Sequence, residues 1–111
     1  MKQKYKQYFV EHTKITDAGY AMDNINFFLN NKKIGYIAYN KKYIEALFIF
    51  PEYRGKGYAN DMMDYAVNEL NLNELTVDVN NYKAISLYKK FGFKIKEKTK
   101  DHSIPVYNME K

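Results

Sequence analysis

The pattern of apolar positions divides the chain near residue 57. Before it, YKQYFV (5–10), INFFLN (25–30), KIGYIAY (33–39) and YIEALFIF (43–50) are rich in aromatic and β-branched residues, as strands are. Asn30-Asn31-Lys32 and Asn40-Lys41 supply turn residues between the last three, so this half reads as a β-meander. TKITDAGYAMD (13–23) has no clear period: Asp17 is placed to cap one short helical turn, and Gly19 weakens it. After residue 57, Ala59, Met62, Met63, Ala66 and Leu70 recur at three- and four-residue spacing, the mark of an amphipathic helix. ELTVDVN (74–80) alternates strictly, with Leu75, Val77 and Val79 on one face. Asn81 then suits an N-cap, Ala84, Leu87, Tyr88 and Phe91 form a stripe, and Gly92 suits the position just past a helix end. FKIKEK and IPVYNME close the chain as two strands, Pro105 suggesting a sheet edge. The predicted order is β-β-β-β-α-β-α-β-β, an α/β (α+β) fold with a mixed sheet and at least two helices, in a single domain over 1–111.

Composition changes this picture little. Twelve tyrosines fit half-buried strand and helix positions. The net charge of +5 favours anionic partners without choosing among nucleic acid, membrane surface and phosphate-bearing cofactors. No nucleic-acid motif is recognised, which makes a small basic nucleic-acid binder the last of the readings. No stretch approaches the roughly 20 apolar residues of a membrane span and the N-terminus lacks a signal peptide's apolar core, so the expected compartment is cytoplasmic. Without cysteine there is no disulfide and no thiolate nucleophile; no metal-ligand cluster stands out, and His12 and His102 read as isolated surface residues.

The chemistry concentrates in PEYRGKGYAN (51–60), where a strand hands over to a helix. Glycine is common in such turns for its tolerance of positive φ, so Gly55-x-Gly57 alone says little. As a dinucleotide fingerprint it has Asp78 near the right distance, but Asn60 stands where a third glycine or alanine is wanted, and the strand is fourth in a meander. A phosphate loop of the GxxxxGK[ST] type is absent. Arg54-x-x-Gly57-x-Ala59 instead leaves about one turn of main-chain N–H groups uncovered at a helix start, where the dipole favours anions and Arg54 and Lys56 add charge.

FIFPEYRGKGYA resembles the pyrophosphate loop of the GCN5-related N-acetyltransferases (GNAT), whose signature is Arg/Gln-x-x-Gly-x-Gly/Ala. Downstream, NYKAISLYKKFGF (81–93) is similar to that family's N-x-x-A-x-x-L-Y-x-x-x-G-F segment. The close match covers roughly residues 43–93. The resemblance implies a mixed, mainly antiparallel sheet with helices on its faces, and acetyl transfer from acetyl-CoA to a primary amine in a ternary complex, without a metal. By the same resemblance Arg54, Gly55, Lys56, Gly57, Tyr58 and Ala59 hold the pyrophosphate, and the pantetheine arm takes main-chain hydrogen bonds near Phe48 and Phe50. Asn81 reaches the pantetheine amides, a role compatible with capping a helix, and Tyr88 protonates the departing thiolate, with core packing as its alternative. Glu45 is the candidate base for the amine, directly or through water.

The departure from the family lies early in the chain. Usual members place two helices between their first two strands; here about fifteen residues, 11–24, separate them. The acceptor cleft is therefore open, completed by a second subunit in a homodimer, or shaped for a protein or peptide amine instead of a small molecule. The net charge argues against polycationic acceptors, although Glu45, Asp17 or Glu11 could offset it locally. The shortened half also motivates a rival reading, a non-catalytic coenzyme A-binding or protein-interaction module with the same fold.

Overall fold

Strand formers punctuated by asparagine turns fold the first fifty residues into one antiparallel meander. A computed structural model describes residues 2–17 and 20–111. Its first strands are β1 (Lys2–Tyr5), β2 (Tyr8–Asp17), β3 (Tyr20–Leu29), β4 (Lys32–Asn40) and β5 (Tyr43–Ile49), each antiparallel to the next. Asn30 and Asn31 both have positive φ (51° and 65°), as a two-residue hairpin turn requires. Two expectations change here. The strand expected over 5–10 is broken by a turn at Lys6-Gln7, with Lys6 at φ 53° and Tyr5 opposite Tyr8, a turn that no glycine or asparagine announces. The region 13–23 holds no helical turn among the described residues. Thr13 to Asp17 and Tyr20 to Asp23 are strand, and Asp17 ends β2 instead of capping a helix; Ala18 and Gly19 lie outside the described residues.

After a short 3-10 turn (Pro51–Tyr53) comes helix α1 (Tyr58–Asp64), which continues as a π-helical turn through Glu69. The wider turn shifts the buried stripe, so Val67 joins Met62, Met63 and Ala66 inside while Leu70 stays half-buried. Then follow β6 (Glu74–Asp78), α2 (Tyr82–Lys90), β7 (Lys94–Asp101) and β8 (Ile104–Glu110). The sheet order is β1-β2-β3-β4-β5-β6-β8-β7, with β5 and β6 the parallel pair. Strand β8 is thus interior, not the edge that Pro105 suggested. The Pro105 carbonyl accepts from Val79 N–H (3.2 Å), and a strand residue's N–H points the same way as its C=O. The missing N–H therefore falls beyond the last β6 pair, Asp78 with Val106. The edge is β7, exposed along its whole length and rich in lysine, which discourages further pairing.

One face of the sheet carries the core. Tyr8, Val10, Ile25, Phe27, Ile37, Leu75 and Met109 pack there against Met62, Met63 and Ala66 of α1 and Ile85 of α2. Edge-to-face pairs join Tyr8 to Phe27 and Tyr58, and Phe27 to Tyr65. The Tyr5 hydroxyl donates to Asp64 and the Tyr8 hydroxyl to Asp61, with Lys6 Nζ 3.3 and 3.4 Å from the two carboxylates. This clamps the first hairpin onto α1. The Tyr5 hydrogen bond, ahead of other causes, holds the Asp64 carboxyl below its usual range. The opposite face, with Phe9, Thr13, Ile15, Asn24, Asn26, Tyr36, Ala38 and Phe48, is covered by no helix among the described residues.

Candidate active site

Gly55 and Gly57 adopt φ 76° and 84°, a region that costs other residues about 1–2 kcal/mol. A Cβ at either position would meet nothing within 4 Å, so the backbone here lies open. Among the described residues, Arg54 N–H bonds Pro51 O and Asn60 N–H bonds Gly57 O, while the intervening main-chain N–H groups have no main-chain acceptor. These groups flank a cavity of about 390 Å³ at the start of α1, whose walls include Ile49, Arg54, Gly55, Gly57, Ala59 and Asn81. Tyr58 and Asn60 also line it; Lys56, Phe48, Phe50, Tyr88 and Glu45 do not. An open, N–H-rich concavity with Arg54 beside it suits a diphosphate.

Strand β5 leads from this cavity into a gap. Its pairing with β6 is confined to Tyr43 with Glu74 and Ile44 with Leu75, after which the strands part. Phe50 N–H bonds Ile34 O at 2.9 Å, so alternation along the strand turns the main-chain groups of Phe48 toward β4 too. The groups facing the gap belong to Leu47 and Ile49, the neighbours of the expected Phe48 and Phe50. Arg54 Nε donates to Ile49 O (2.7 Å) with its guanidinium 5.2 Å from the Phe48 ring centre, leaving the Nη donors of the fork uncommitted by that bond. The Phe48 ring thus helps to position Arg54.

Helix α2 supplies the far wall of the cavity. Asn81 Oδ1 accepts from Ala84 N–H (3.2 Å) and caps the helix, while the residue also faces the cavity with Ala84 and Leu87. Lys90 Nζ donates to Asn60 Oδ1 (2.8 Å) and ties the end of α2 to the start of α1. Tyr88 packs toward Phe93, ring centres 6.2 Å apart, and burial pushes its phenol up. The neutral, proton-bearing form is the one present at neutral pH.

Glu45 is exposed and sits at the bulge where β4 and β5 shift register, between the pairs Tyr39 with Ile44 and Ala38 with Ala46. It lines a second cavity, of about 500 Å³, on the helix-free face. His12 is not isolated: its Nε2 lies 2.8 Å from Asp23 Oδ1, and that contact is the main cause holding the Asp23 carboxyl low. His102 lies 3.6 Å from Asp101. Among the described residues no group of three or more potential ligands is placed to hold a metal ion, and no helix is long and apolar enough to cross a membrane. Sequence reasoning missed Leu47, Ile49, Tyr53 and Leu87. Strand alternation from a known pairing points to Leu47 and Ile49 and helix spacing from Asn81 to Leu87, while Tyr53, in the 3-10 turn, has no such signal.

The parallel strand pair β5 and β6 opens beside an uncapped, glycine-flanked helix start in an α+β domain with a mixed sheet. A family profile described as an acetyltransferase (GNAT) domain matches residues 5–111, and the chain belongs to that family. An N-alpha-acetyltransferase of Saccharolobus solfataricus is 33% identical over 105 residues, covering 78% of this chain and 63% of the relative. A spermidine N(1)-acetyltransferase of Escherichia coli is 46% identical over 55 residues, 44% of this chain and 30% of the relative. The chain therefore spans less than two thirds of either curated relative. Among solved structures, Arabidopsis thaliana Naa50 in complex with the bisubstrate analogue CoA-Ac-MVNAL superposes with a TM-score of 0.67 at 28% identity, covering 79% of this chain and 71% of that one.

Proposed function

We propose that this protein is an N-acetyltransferase that moves the acetyl group of acetyl-CoA onto a primary amine by direct attack. The observation that carries the reading is the cavity lined by Arg54, Gly55, Gly57 and Ala59, at the end of β5 beyond the point where it leaves β6. Family membership and the acetyltransferase relatives support it. The free N–H groups of Gly55 to Ala59, with Arg54 and Lys56, hold the diphosphate; Leu47 and Ile49 offer main-chain hydrogen bonds to an extended amide-bearing arm; Asn81 faces the same cavity.

The donor supplies an activated thioester carbonyl. The neutral amine's lone pair forms the new C–N bond at that carbonyl carbon, the oxyanion collapses, and the C–S bond breaks. One proton leaves the amine and one reaches the sulfur. Tyr88, kept neutral by burial, gives the second proton, and Glu45 takes the first directly or through water. The two groups serve opposite sides of the sheet, which the gap after Ile44 connects.

Calorimetry with acetyl-CoA and a thiol-release assay over an amine panel test this. Saturation with acetyl-CoA at 100 times Kd should stabilise the fold by about 2.7 kcal/mol. No heat of binding and no shift in melting temperature would sink the proposal.

A further inference from the structure

Asn24 is only 4% exposed, yet its Oδ1 has no hydrogen-bond partner among the described residues. The direction of bonding explains why. Asn24 Nδ2 donates to Asn26 Oδ1 (2.7 Å) and Asn26 Nδ2 donates to Thr13 Oγ1 (3.2 Å), a one-way chain that ends on Thr13 and leaves Asn24's own oxygen without a donor. Buried polar atoms are nearly always paired, so an unmatched acceptor beside a cavity marks where a donor is missing. Asn24 lines the 500 Å³ cavity on the helix-free face, together with Glu45 and Ala46 of β5.

The sheet register measures the cavity. Asn24 pairs with Ala38, and Ala38 with Ala46. Adjacent strands lie ~4.8 Å apart, so Asn24 stands about 10 Å from Ala46, where β5 has just left β6. An amine reacting beside Glu45 and Ala46 is too distant to be held by Asn24. Another donor of the same acceptor is not. In an extended peptide, three residues span about 10 Å, so the fourth residue's N–H reaches Asn24 when the first residue's amine is at Ala46.

Resting on the acetyltransferase reading, we propose that this cavity binds the body of a peptide acceptor, with Asn24 Oδ1 accepting the N–H of its fourth residue and the peptide's α-amine placed for reaction. Ile15, Met22, Ala38 and Ala46 give the groove apolar walls for side chains. Lys33, 5.4 Å from the Tyr36 ring centre, stands in the same wall. A neutral amide in a cavity that also carries a lysine suits an uncharged N–H and not the second ammonium of a polyamine. Asn24 Oδ1 is closed to solvent in the free protein, and Met22, which lines the same cavity, is an unbranched and adaptable neighbour.

The test uses the full chain with saturating acetyl-CoA and three acceptors: tetra-alanine amide, di-alanine amide and spermidine. The tetrapeptide should have a KM at least fivefold below the dipeptide, with similar kcat, and should exceed spermidine in kcat/KM. Asn24→Leu should erase the advantage of length while leaving acetyl-CoA affinity unchanged. Asn24→Asp, which keeps an acceptor oxygen, should retain it. Lys33→Glu, at an exposed position, should raise kcat/KM for spermidine severalfold. Equal KM for the two peptides, a length advantage that survives Asn24→Leu or is lost in Asn24→Asp, or better turnover of spermidine by the unaltered protein would each overturn the proposal. Failure of acetyl-CoA to bind at all would instead strike the underlying acetyltransferase reading, because calorimetry reads it without an acceptor.

Discussion

The two faces of the sheet are made by the same strands and are built to opposite ends. Toward the helices, Tyr8, Val10, Ile25 and Phe27 are almost wholly buried and interlock through aromatic edges. On the other side of β2, Phe9 is 46% and Ile15 42% exposed, and Asn24 and Asn26, the buried residues of β3 there, hold amide hydrogen bonds instead of apolar contacts. The contrast teaches that the helix-bearing face carries the stability, which leaves the bare face free to be polar and open. The cavities follow the same division. The cavity at α1 is closed by two helices, whereas the one beside Glu45 opens onto strands alone.

Substitutions can break this comparison. Phe27→Ala should destabilise the fold by about 3–5 kcal/mol in a denaturant titration, whereas Phe9→Ala, one strand away but on the bare face, should change it by less than about 1 kcal/mol. Similar losses at both would mean that the bare face is covered in solution. Tyr88→Phe, which keeps the packing against Phe93, should lower kcat by about 100-fold and leave acetyl-CoA affinity intact; unchanged turnover would confine Tyr88 to the core. Gly57→Val forces a β-branched residue to φ 84° and should weaken acetyl-CoA binding by about tenfold or more by calorimetry.

The smallest effect sharpens the clamp between the first hairpin and α1. The folded Asp64 carboxyl is held low, so its stabilisation is present above the unfolded value of about 3.9 and is lost as pH falls through the folded value. Asp64→Asn should therefore lower the melting temperature at pH 7, and the gap should begin to close only as pH falls below about 4 toward the folded value. A gap that persists in acid would assign the effect to packing.

The meander, the asparagine hairpin at 30–31, the alternation of β6 and the Asn81 cap were legible because each depends on neighbours a few residues away. The strand over 13–17 was not. Ile15 is its single apolar residue, so no alternation announces it. Pro105 misled because a proline rule concerns the missing N–H, and only the partner strand shows whether an acceptor waits there. Which main-chain groups around Phe48 and Phe50 point into the gap was not legible for a related reason, since it depends on the register with β4. The Tyr5–Asp64 and Tyr8–Asp61 bonds join residues more than fifty positions apart, beyond any local pattern.

By itself the sequence determined a glycine-flanked turn opening a helix, and with it the kind of ligand that turn can hold, since positive φ and uncovered N–H groups are local properties. Only the tertiary structure decided that β5 and β6 part after Ile44, that Leu47 and Ile49 face the gap, and that Asn24, two strands away, heads a hydrogen-bond chain with its own oxygen unmatched. Those features arise from register and from which face the helices cover, and neither exists until distant strands have paired.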